Sequence, residues 1–302
     1  MSARGPLRSL LFVPGDSERK QAKALGSGAD ALILDLEDSV APAQLPAART
    51  QVRQFLSRQA ASSAQRWVRV NGPASGLLLE DVAAVIAGRP DGIVLPKVSS
   101  AGEVAQASKR LGELEGKAGI EVGSTRLIVI ATETPLALLK LADYTVGAPG
   151  LERLAALTWG MEDLSAALGA ASKTEPDGSL TPVFELARSL CLVAAAAAAV
   201  QAIDGVHADF RDTAGLARAA ARARRDGFTA KLAIHPDQVP IINAAFSPSA
   251  AEVERARRVV AAFAASPGAG VTSLDGQMLD RPHLILAQRI LALSSRTGTD
   301  KP

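Results

Sequence analysis

The chain is poor in aromatic residues and in cysteine. Phenylalanine, tryptophan and tyrosine make up 3% of its 302 residues, and Cys191 is the single cysteine. One cysteine excludes an internal disulfide and a metal cluster built on thiolates. Cys191 lies in an alanine-rich segment, which predicts a buried, inert thiol and fits a reducing cytosol. The scarcity of aromatic side chains also leaves no basic surface with interleaved stacking residues, which argues against nucleic-acid binding.

The chain also lacks a dominant charge and a long apolar segment. It holds 33 Lys and Arg residues against 31 Asp and Glu residues, a formal net charge of +2. The apolar stretch "LVAAAAAAVQAI" is mostly alanine and is shorter than a membrane span. The first apolar run is interrupted by Pro14 and Gly15 before it reaches the length of a signal-peptide core. We therefore expect a cytoplasmic protein whose partners include neither membrane nor nucleic acid.

A regular alternation of strand-like and helix-like segments runs through most of the chain. The strand candidates are continuous apolar runs, as expected for parallel strands covered on both faces. Eight such runs separated by helices predict a (β/α)8 TIM barrel rather than an open doubly wound sheet. They are "LRSLLFV", "ALILDLE", "RWVRVNG", "GIVLPKV", "TRLIVIATE", "AALTWGMED", "VQAIDGVHADF" and "AKLAIHP".

A second region follows the eighth strand candidate. It reads as a helix, a loop containing glycine and serine, and another helix, which a plain barrel does not require. We therefore predict a catalytic barrel over residues 1–246. Residues 247–302 are predicted to form a C-terminal helical arm or lid that contacts a neighbouring subunit.

Polar residues gather where the predicted strands end. Isolated strand exits would not produce this recurrence, and the C-terminal rim is where such barrels place their chemistry. In strand order, the residues are Asp35, Glu37 and Asp38; Arg69 and Asn71; Lys97; Thr132, Glu133 and Thr134; Glu162 and Asp163; Asp204 and Asp209; and His235.

Two of these carboxylates form the strongest candidate metal site. Glu133 and Asp163 follow adjacent predicted strands, and carboxylates with few nearby histidines suit a hard cation such as Mg²⁺. The guanidinium of Arg69 is a planar fork suited to a substrate carboxylate. A divalent ion beside an arginine is what enolate chemistry requires, because both can balance developing negative charge.

Each of these residues also has a structural interpretation. Glu133 or Asp163 could cap a following helix, and Arg69 could form an ion pair with Asp35 or Glu37. A Schiff base at Lys97 is disfavoured, because no neighbour in the sequence would depress its pKa. His235, just before a proline, is better read as a hydrogen-bonding residue than as a base.

Nine motifs taken together, from Arg8 to Arg289, give a family resemblance. The chain resembles the citrate lyase beta-subunit-like branch of the HpcH/HpaI aldolase family. The motifs are collinear with those of that branch and cover nearly the whole chain. They are "RSLLFVPG", "LILDLEDSV", "RVNG", "GIVLPKV", "ATETPLALL", "GMEDLSAALG", "AIDGVHADFRDTAGL", "KLAIHPDQV" and "DGQMLDRPH".

The resemblance implies a TIM barrel with a C-terminal helical extension. It also implies Mg²⁺-dependent cleavage or formation of a carbon–carbon bond in acyl thioesters such as citryl-, malyl- or citramalyl-CoA. The substrate would be a small acyl-CoA or oxo acid, and the protein a homotrimer or hexamer. The site residues that it implies are Glu133 and Asp163 for the metal, Arg69 and Glu133 for the substrate, and Glu37, Asp38, Arg69 and Asp280 for catalysis.

The resemblance assigns Asp280 to the site of a neighbouring subunit, where it would move a proton at the enolate carbon. Two features depart from the family pattern, namely the "ATETP" sequence around Glu133 and the residue Trp159. Alternatives to the lyase are a malyl-CoA-type thioesterase or synthase, a CoA-independent 2-oxo-acid aldolase, a lyase-complex subunit that uses an acyl carrier protein, and a non-catalytic scaffold. The plain aldolases use an early histidine that "DLEDSV" lacks, and the rim carboxylates argue against a scaffold.

Overall fold

The computed structural model describes residues 7–58, 63–266, 268 and 270–297. The chain divides into two compact units, Leu7–Asn243 and the part of the chain from Ala244 onwards. The assignment of a catalytic barrel to residues 1–246 and of an arm or lid to residues 247–302 stays a prediction. Residues 1–6 and 298–302, which those predicted domains include, lie outside the described residues.

The first unit is a closed barrel of eight parallel strands in sequence order. Pairing between Ser9 and Lys231 joins the first strand to the eighth and closes the cylinder. The predicted TIM barrel is therefore confirmed. The strands are β1 (Ser9–Pro14), β2 (Ala31–Asp35), β3 (Gln65–Arg69), β4 (Gly92–Leu95), β5 (Arg126–Ile130), β6 (Leu154–Thr158), β7 (Gln201–Asp204) and β8 (Ala230–Ala233).

The apolar runs form strands because the barrel covers both of their faces. All five residues of β2 are buried, and so are all four residues of β4 and of β8. Side chains from the strands fill the barrel interior, where Leu10, Ile33, Trp67 and Ile128 belong to one cluster. The covering helices are α1 (Glu18–Leu25), α2 (Leu45–Ser57), α3 (Leu78–Val85), α4 (Ala101–Lys117), α5 (Pro135–Leu139), α6 (Glu162–Leu168), α7 (Pro182–Ala197), α8 (Thr213–Asp226) and α9 (Gln238–Ala245).

The second unit contains a β-hairpin between two helices. The elements are α10 (Ala250–Ala264), β9 (Val271–Leu274), β10 (Gln277–Asp280) and α11 (Arg281–Thr297). The glycine and serine residues of this segment predict a loop between the two helices. That prediction is wrong, because residues 271–280 form the hairpin. Asp275 and Gly276 have φ angles of 52° and 75°, the left-handed pair that a tight hairpin turn requires and that an Asp-Gly dipeptide favours. Leu279 of β10 packs with α10 and α11 in a small core of this unit.

No helix in the described part of the chain has the combination of length and apolar character that a membrane span requires.

Candidate active site

Asp35, the last residue of β2, organises the loop that follows it. Its side chain is almost completely buried. One carboxylate oxygen accepts a hydrogen bond from the backbone N–H of Glu37 at 3.0 Å, and the other accepts from the N–H of Ser39 at 3.2 Å. These bonds fold residues 35–39, the acidic loop, back on themselves. As a result Glu37 is also buried, while Asp38 is exposed.

Arg69, at the end of the neighbouring β3, is held by the same carboxylate. Its Nε and Nη2 atoms each donate to an oxygen of Asp35 at 2.7 Å. Its Nη1 lies 3.0 Å from Glu37, and its guanidinium carbon lies 4.7 Å from the centre of the Phe12 ring. Burial opposes the charges of both partners. The hydrogen bonds and the attraction between the two charges outweigh the effect of burial. The pKa of Asp35 therefore falls below its usual value, and the pKa of Arg69 rises.

The structural interpretation of Arg69 as an ion-pair partner of Asp35 is thus realised in the geometry. Asp35 occupies the Nε–Nη2 side of the guanidinium, so the Nη1 side is turned towards Glu37. The sequence left Asp35 and Glu37 open as ion-pair partners of Arg69, and the structure shows that Arg69 contacts both.

Lys97 connects the acidic residues of three strand ends, and sequence reasoning did not include it among the site residues. Its backbone N–H donates to Oε2 of Glu133 at 2.5 Å. Its ammonium lies 2.7 Å from Glu37, 2.9 Å from Asp38 and 3.4 Å from Asp163. Burial opposes this charge. The hydrogen bonds to Glu37 and Asp38 outweigh it and raise the pKa of the lysine, which opposes the neutral amine that a Schiff base requires.

The backbone at Lys97 is itself unusual. Its φ angle is 54°, in the left-handed region that residues other than glycine rarely adopt. A conformation of this kind costs on the order of 1 kcal/mol and persists where the surrounding contacts enforce it. The bonds from the N–H to Glu133 and from the ammonium to the acidic loop are such contacts.

Glu133 follows β5 and is the most strongly perturbed carboxyl of the site. It is 5% exposed. Burial raises the pKa of Glu133 to about 8, against the hydrogen bond from Lys97 and with the help of the negative charges of Glu37 and Asp163. The helix-cap interpretation does not describe it, because Thr134 caps α5 by accepting from the N–H of Ala137 at 3.0 Å.

Asp163 lies in the first turn of α6, next to a second acidic residue, Glu162. Glu162 turns away from the site and pairs with Lys173. Asp163 instead approaches the ammonium of Lys97, and its charge acts on Glu133. The structure therefore brings Glu133, Asp163 and Arg69 together with Lys97 at the C-terminal end of the barrel.

The balance of charge at the site suits a divalent cation. Five carboxylates surround two cationic side chains, so three negative charges are uncompensated when all groups are ionised; the residues are Asp35, Glu37, Asp38, Glu133 and Asp163 against Arg69 and Lys97. No three Asp, Glu, His or Cys side chains of the described residues form a ready-made metal-binding group. Mg²⁺ needs only one or two protein carboxylates, because water and substrate oxygens complete its shell. The residues present fit that ion.

A cleft opens beside the acidic loop. It has a volume of about 300 Å³ and is lined by polar and apolar residues of the segments after β2, β3 and β4, including Glu37, Asp38, Asn71, Ser75 and Lys97. Asn71 is oriented from both sides, because its amide nitrogen donates to the carbonyl of Leu36 at 3.0 Å and to Asp81 at 2.8 Å. The cleft can hold the part of a small molecule that lies next to the charged site.

Three more of the residues singled out in the sequence are Asp280, His235 and Cys191. Asp280 ends β10 in the second unit and contacts His283. His235 accepts a hydrogen bond from the N–H of Asp237 at 3.2 Å and stacks on Phe210, in agreement with the structural interpretation. Cys191 is buried, and burial raises the pKa of its thiol, as expected for an inert residue.

Comparison with known proteins gives consistent matches. A family model described as HpcH/HpaI aldolase/citrate lyase matches residues 8–236. The (3S)-malyl-CoA thioesterase of Cereibacter sphaeroides is 36% identical over 95% of this chain and 94% of its own length. The citrate lyase subunit beta of Escherichia coli is 35% identical over 96% of this chain and 94% of its own.

A solved structure extends the similarity to three dimensions. The CitE protein of Mycobacterium tuberculosis, crystallised with magnesium, acetoacetate and coenzyme A, matches with a TM-score of 0.76 and 34% identity. The match covers 97% of this chain and 99% of that one. The resemblance inferred from the motifs is confirmed by these matches, and the chain belongs to the HpcH/HpaI aldolase/citrate lyase family.

Proposed function

We propose that this protein is a Mg²⁺-dependent lyase acting on a 3-hydroxy-acyl thioester such as citryl-, malyl- or citramalyl-CoA. It cleaves a carbon–carbon bond and releases an oxo acid and a shorter acyl thioester. The observation that carries the proposal is the convergence of Glu133 and Asp163 on Lys97, next to the guanidinium of Arg69. The magnesium, acetoacetate and coenzyme A bound by the CitE relative support it.

Glu133 and Asp163 are the residues that would hold the metal. When bound there, Mg²⁺ supplies a positive charge that polarises substrate oxygens and balances negative charge in the transition state. The ammonium of Lys97 lies closer to Glu37 and Asp38 than to Asp163, so Glu133 and Asp163 have the weaker cationic compensation.

Arg69 binds the carboxylate of the oxo-acid part of the substrate. Asp35 fixes the plane of the guanidinium through two hydrogen bonds, so the Nη1 side faces the site in one orientation. A pre-oriented planar fork recognises a carboxylate more strongly than a flexible ammonium does. Asp35 is thus a positioning residue for Arg69.

The new carbon–hydrogen bond of the released acyl thioester requires a proton donor. The sequence-based prediction is that Asp280 of a neighbouring copy moves this proton, and we infer a homotrimer or hexamer on that basis. We also infer a cytoplasmic location, which fits the free, buried thiol of Cys191. Mixing Asp280→Asn copies with Glu133→Gln copies tests it. Mixed oligomers should regain part of the activity that each variant lacks alone, and no recovery on mixing would count against a shared site.

A thioesterase is the second candidate function, because the malyl-CoA thioesterase relative is 36% identical over nearly the whole chain. The same carboxylates and arginine would then hold a substrate whose thioester bond is hydrolysed. The two reactions differ in their products. A lyase gives an oxo acid without free thiol, whereas a thioesterase gives free thiol.

The deciding experiment incubates the protein with citryl-, malyl- and citramalyl-CoA, with and without Mg²⁺, and measures oxo acid and free thiol separately. Oxo acid that forms only with Mg²⁺ and without thiol supports the lyase. Free thiol that forms without oxo acid supports the thioesterase. If CoA esters are inert but the same acyl groups react on an acyl carrier protein, the chain is the subunit of a lyase complex. Turnover of free hydroxy-oxo acids alone would indicate the CoA-independent aldolase.

A further inference from the structure

Asp204 is a buried carboxylate that the proposed mechanism does not use. It ends β7 and is 3% exposed. It accepts hydrogen bonds from the indole N–H of Trp159 at 2.8 Å, the ammonium of Lys231 at 2.7 Å and Nε of Arg188 at 3.1 Å. Burial opposes its charge. The two cations and the indole outweigh it and lower the pKa of Asp204. It therefore remains a fixed, ionised acceptor for Trp159.

Trp159 is fixed by packing as well as by this bond. It follows the last residue of β6 and is 5% exposed. A Cβ atom placed on Gly205, the residue after Asp204, would lie 3.2 Å from Cε2 and from Nε1 of the indole. The indole thus lies against the backbone at the end of β7, and a side chain at position 205 would require it to shift by a few tenths of an ångström.

The next residue, Gly160, touches the proposed metal ligand. A Cβ atom at Gly160 would lie 3.0 Å from Cγ of Glu133 and 3.2 Å from Oε1. The hydroxyl of Thr132 accepts from the N–H of Gly160 at 3.1 Å and donates to its carbonyl at 3.2 Å. The backbone of this residue is therefore held on the β5 side by Thr132, while Trp159 ties the same segment to β7.

Asp163 comes at the end of this segment. It lies in the first turn of α6, which begins at Glu162. It is the third residue after Gly160, so a shift of the backbone at Trp159 would move Gly160 against Glu133 and displace Asp163 as well. One hydrogen bond in the barrel interior can thus influence both carboxylates.

We propose that Trp159 and Asp204 are positioning residues for the two metal-binding carboxylates: the bond from the indole to Asp204 fixes the segment from β6 to α6, which sets the distance between Glu133 and Asp163. This inference rests on the proposed function, in which those two residues hold the cation. It assigns a role to Trp159 and to Asp204, whose strand-end position alone gave it none.

Trp159→Phe tests the inference, because it keeps an aromatic ring against Gly205 and removes only the N–H donor. The readout is Mn²⁺ binding without substrate, followed by the electron paramagnetic resonance signal of the free ion. Residues that orient metal ligands typically contribute about 10- to 100-fold to metal affinity, so we expect the Mn²⁺ affinity to fall about tenfold. Circular dichroism and the thermal midpoint report whether the fold is kept.

Two control variants separate positioning from general stability. Trp67→Phe removes an equivalent bond, from a buried indole to Gln65 at 3.0 Å, on β3. Arg153→Lys breaks a buried two-point pair with Glu115 that contacts neither Asp204 nor the indole. Both should lower the thermal midpoint at least as much as Trp159→Phe while keeping the Mn²⁺ affinity within about twofold of wild type, well short of the loss expected when an orienting group is removed.

Wild-type Mn²⁺ affinity in Trp159→Phe would overturn the positioning role. So would losses of affinity that follow the thermal midpoint across all three variants, because a merely structural role predicts that pattern. Glu133→Gln distinguishes this failure from that of the proposed function. If Glu133→Gln binds Mn²⁺ as tightly as wild type, the metal site itself is wrong, and the positioning role is wrong with it.

Discussion

At the scale of single residues, the site depends on which carboxylate contacts which cation. Asp35 takes one side of the Arg69 guanidinium, and Glu37 lies on the other. The ammonium of Lys97 lies closer to Glu37 and Asp38 than to Asp163, which leaves Glu133 and Asp163 as the less compensated pair. A set of acidic residues that looks uniform in the sequence is thereby divided into orienting, ion-paired and proposed metal-binding members.

Removing the charge of either proposed ligand should abolish Mg²⁺-dependent turnover. In Glu133→Gln and in Asp163→Asn, kcat should fall at least about a hundredfold, because loss of one group that stabilises developing charge has an effect of that size. Glu162→Gln is the matched control, since Glu162 is adjacent to Asp163 but pairs with Lys173. Steady-state kinetics on the three variants, with circular dichroism, is the measurement. Near-normal turnover in either ligand variant would remove both from the mechanism.

Arg69→Lys should weaken catalysis although it keeps the charge. An ammonium cannot hold Asp35 at two points and face a substrate carboxylate at the same time. Since a hydrogen bond to a charged group contributes about 1.5–3 kcal/mol, kcat/KM should fall about 10- to 100-fold. Arg153→Lys is the control, because it breaks a similar two-point pair with Glu115 away from the acidic loop. It should lower the melting temperature and leave kcat/KM unchanged; an equal loss in both variants would contradict a role for Arg69 in binding.

At the scale of secondary structure elements, the barrel strands and the hairpin of the second unit have different origins. The strands are specified by continuous apolar runs that are buried on both faces. β9 and β10 are four residues each, mostly exposed or half-buried, and their hydrophobic pattern is weak. The hairpin is specified by its turn, in which Asp275 and Gly276 both have positive φ angles.

Gly276→Ala should therefore loosen the hairpin. A Cβ atom at φ 75° meets no neighbouring atom, so the cost is purely conformational and amounts to about 1 kcal/mol. Gly270→Ala is the control, because Gly270 has no positive φ and also has no close neighbour. Hydrogen exchange of the amides from 271 to 280 should accelerate in Gly276→Ala alone. Equal exchange in both variants would show that the turn does not determine the hairpin.

At the scale of the whole molecule, buried ion pairs tie the barrel together away from the site. Glu115 of α4 is fully buried and accepts hydrogen bonds from Arg153 at 2.6 and 3.0 Å and from the N–H groups of Gly123 and Thr125. Burial opposes its charge, but the bonds outweigh it and lower its pKa below the usual 4.5. The folded state thus binds this proton more weakly than the unfolded state does.

The stabilisation by Glu115 should consequently be complete above pH 4.5 and disappear as the pH falls through the folded-state pKa. Glu115→Gln should lower the free energy of unfolding at pH 7 by about 3–5 kcal/mol, because Arg153 is left buried without its counter-charge. The difference from wild type should shrink below pH 4.5. Urea unfolding from pH 3 to 7 measures it, with exposed Glu113→Gln as the control. A pH-independent difference would contradict the linkage.

The sequence by itself determined the barrel and the location of its chemistry. Eight apolar runs separated by helical segments can bury both strand faces in few arrangements, and polar residues after the runs must then meet at one rim. The carboxylates Glu133 and Asp163 and the guanidinium of Arg69 were recognisable on that basis, and the hairpin turn at Asp275 and Gly276 could have been recognised from its dipeptide.

Only the tertiary structure decided how the charged groups pair. The bond between Asp35 and Arg69 spans 34 residues of sequence, and that between Lys97 and Glu133 spans 36. Such pairs depend on strand register, on the left-handed backbone of Lys97 and on side-chain direction, none of which a hydrophobic pattern encodes. The network of Asp204 with Trp159 cannot be recognised in the sequence for the same reason. The donors that stabilise this buried charge are the residues that the closed barrel brings next to it.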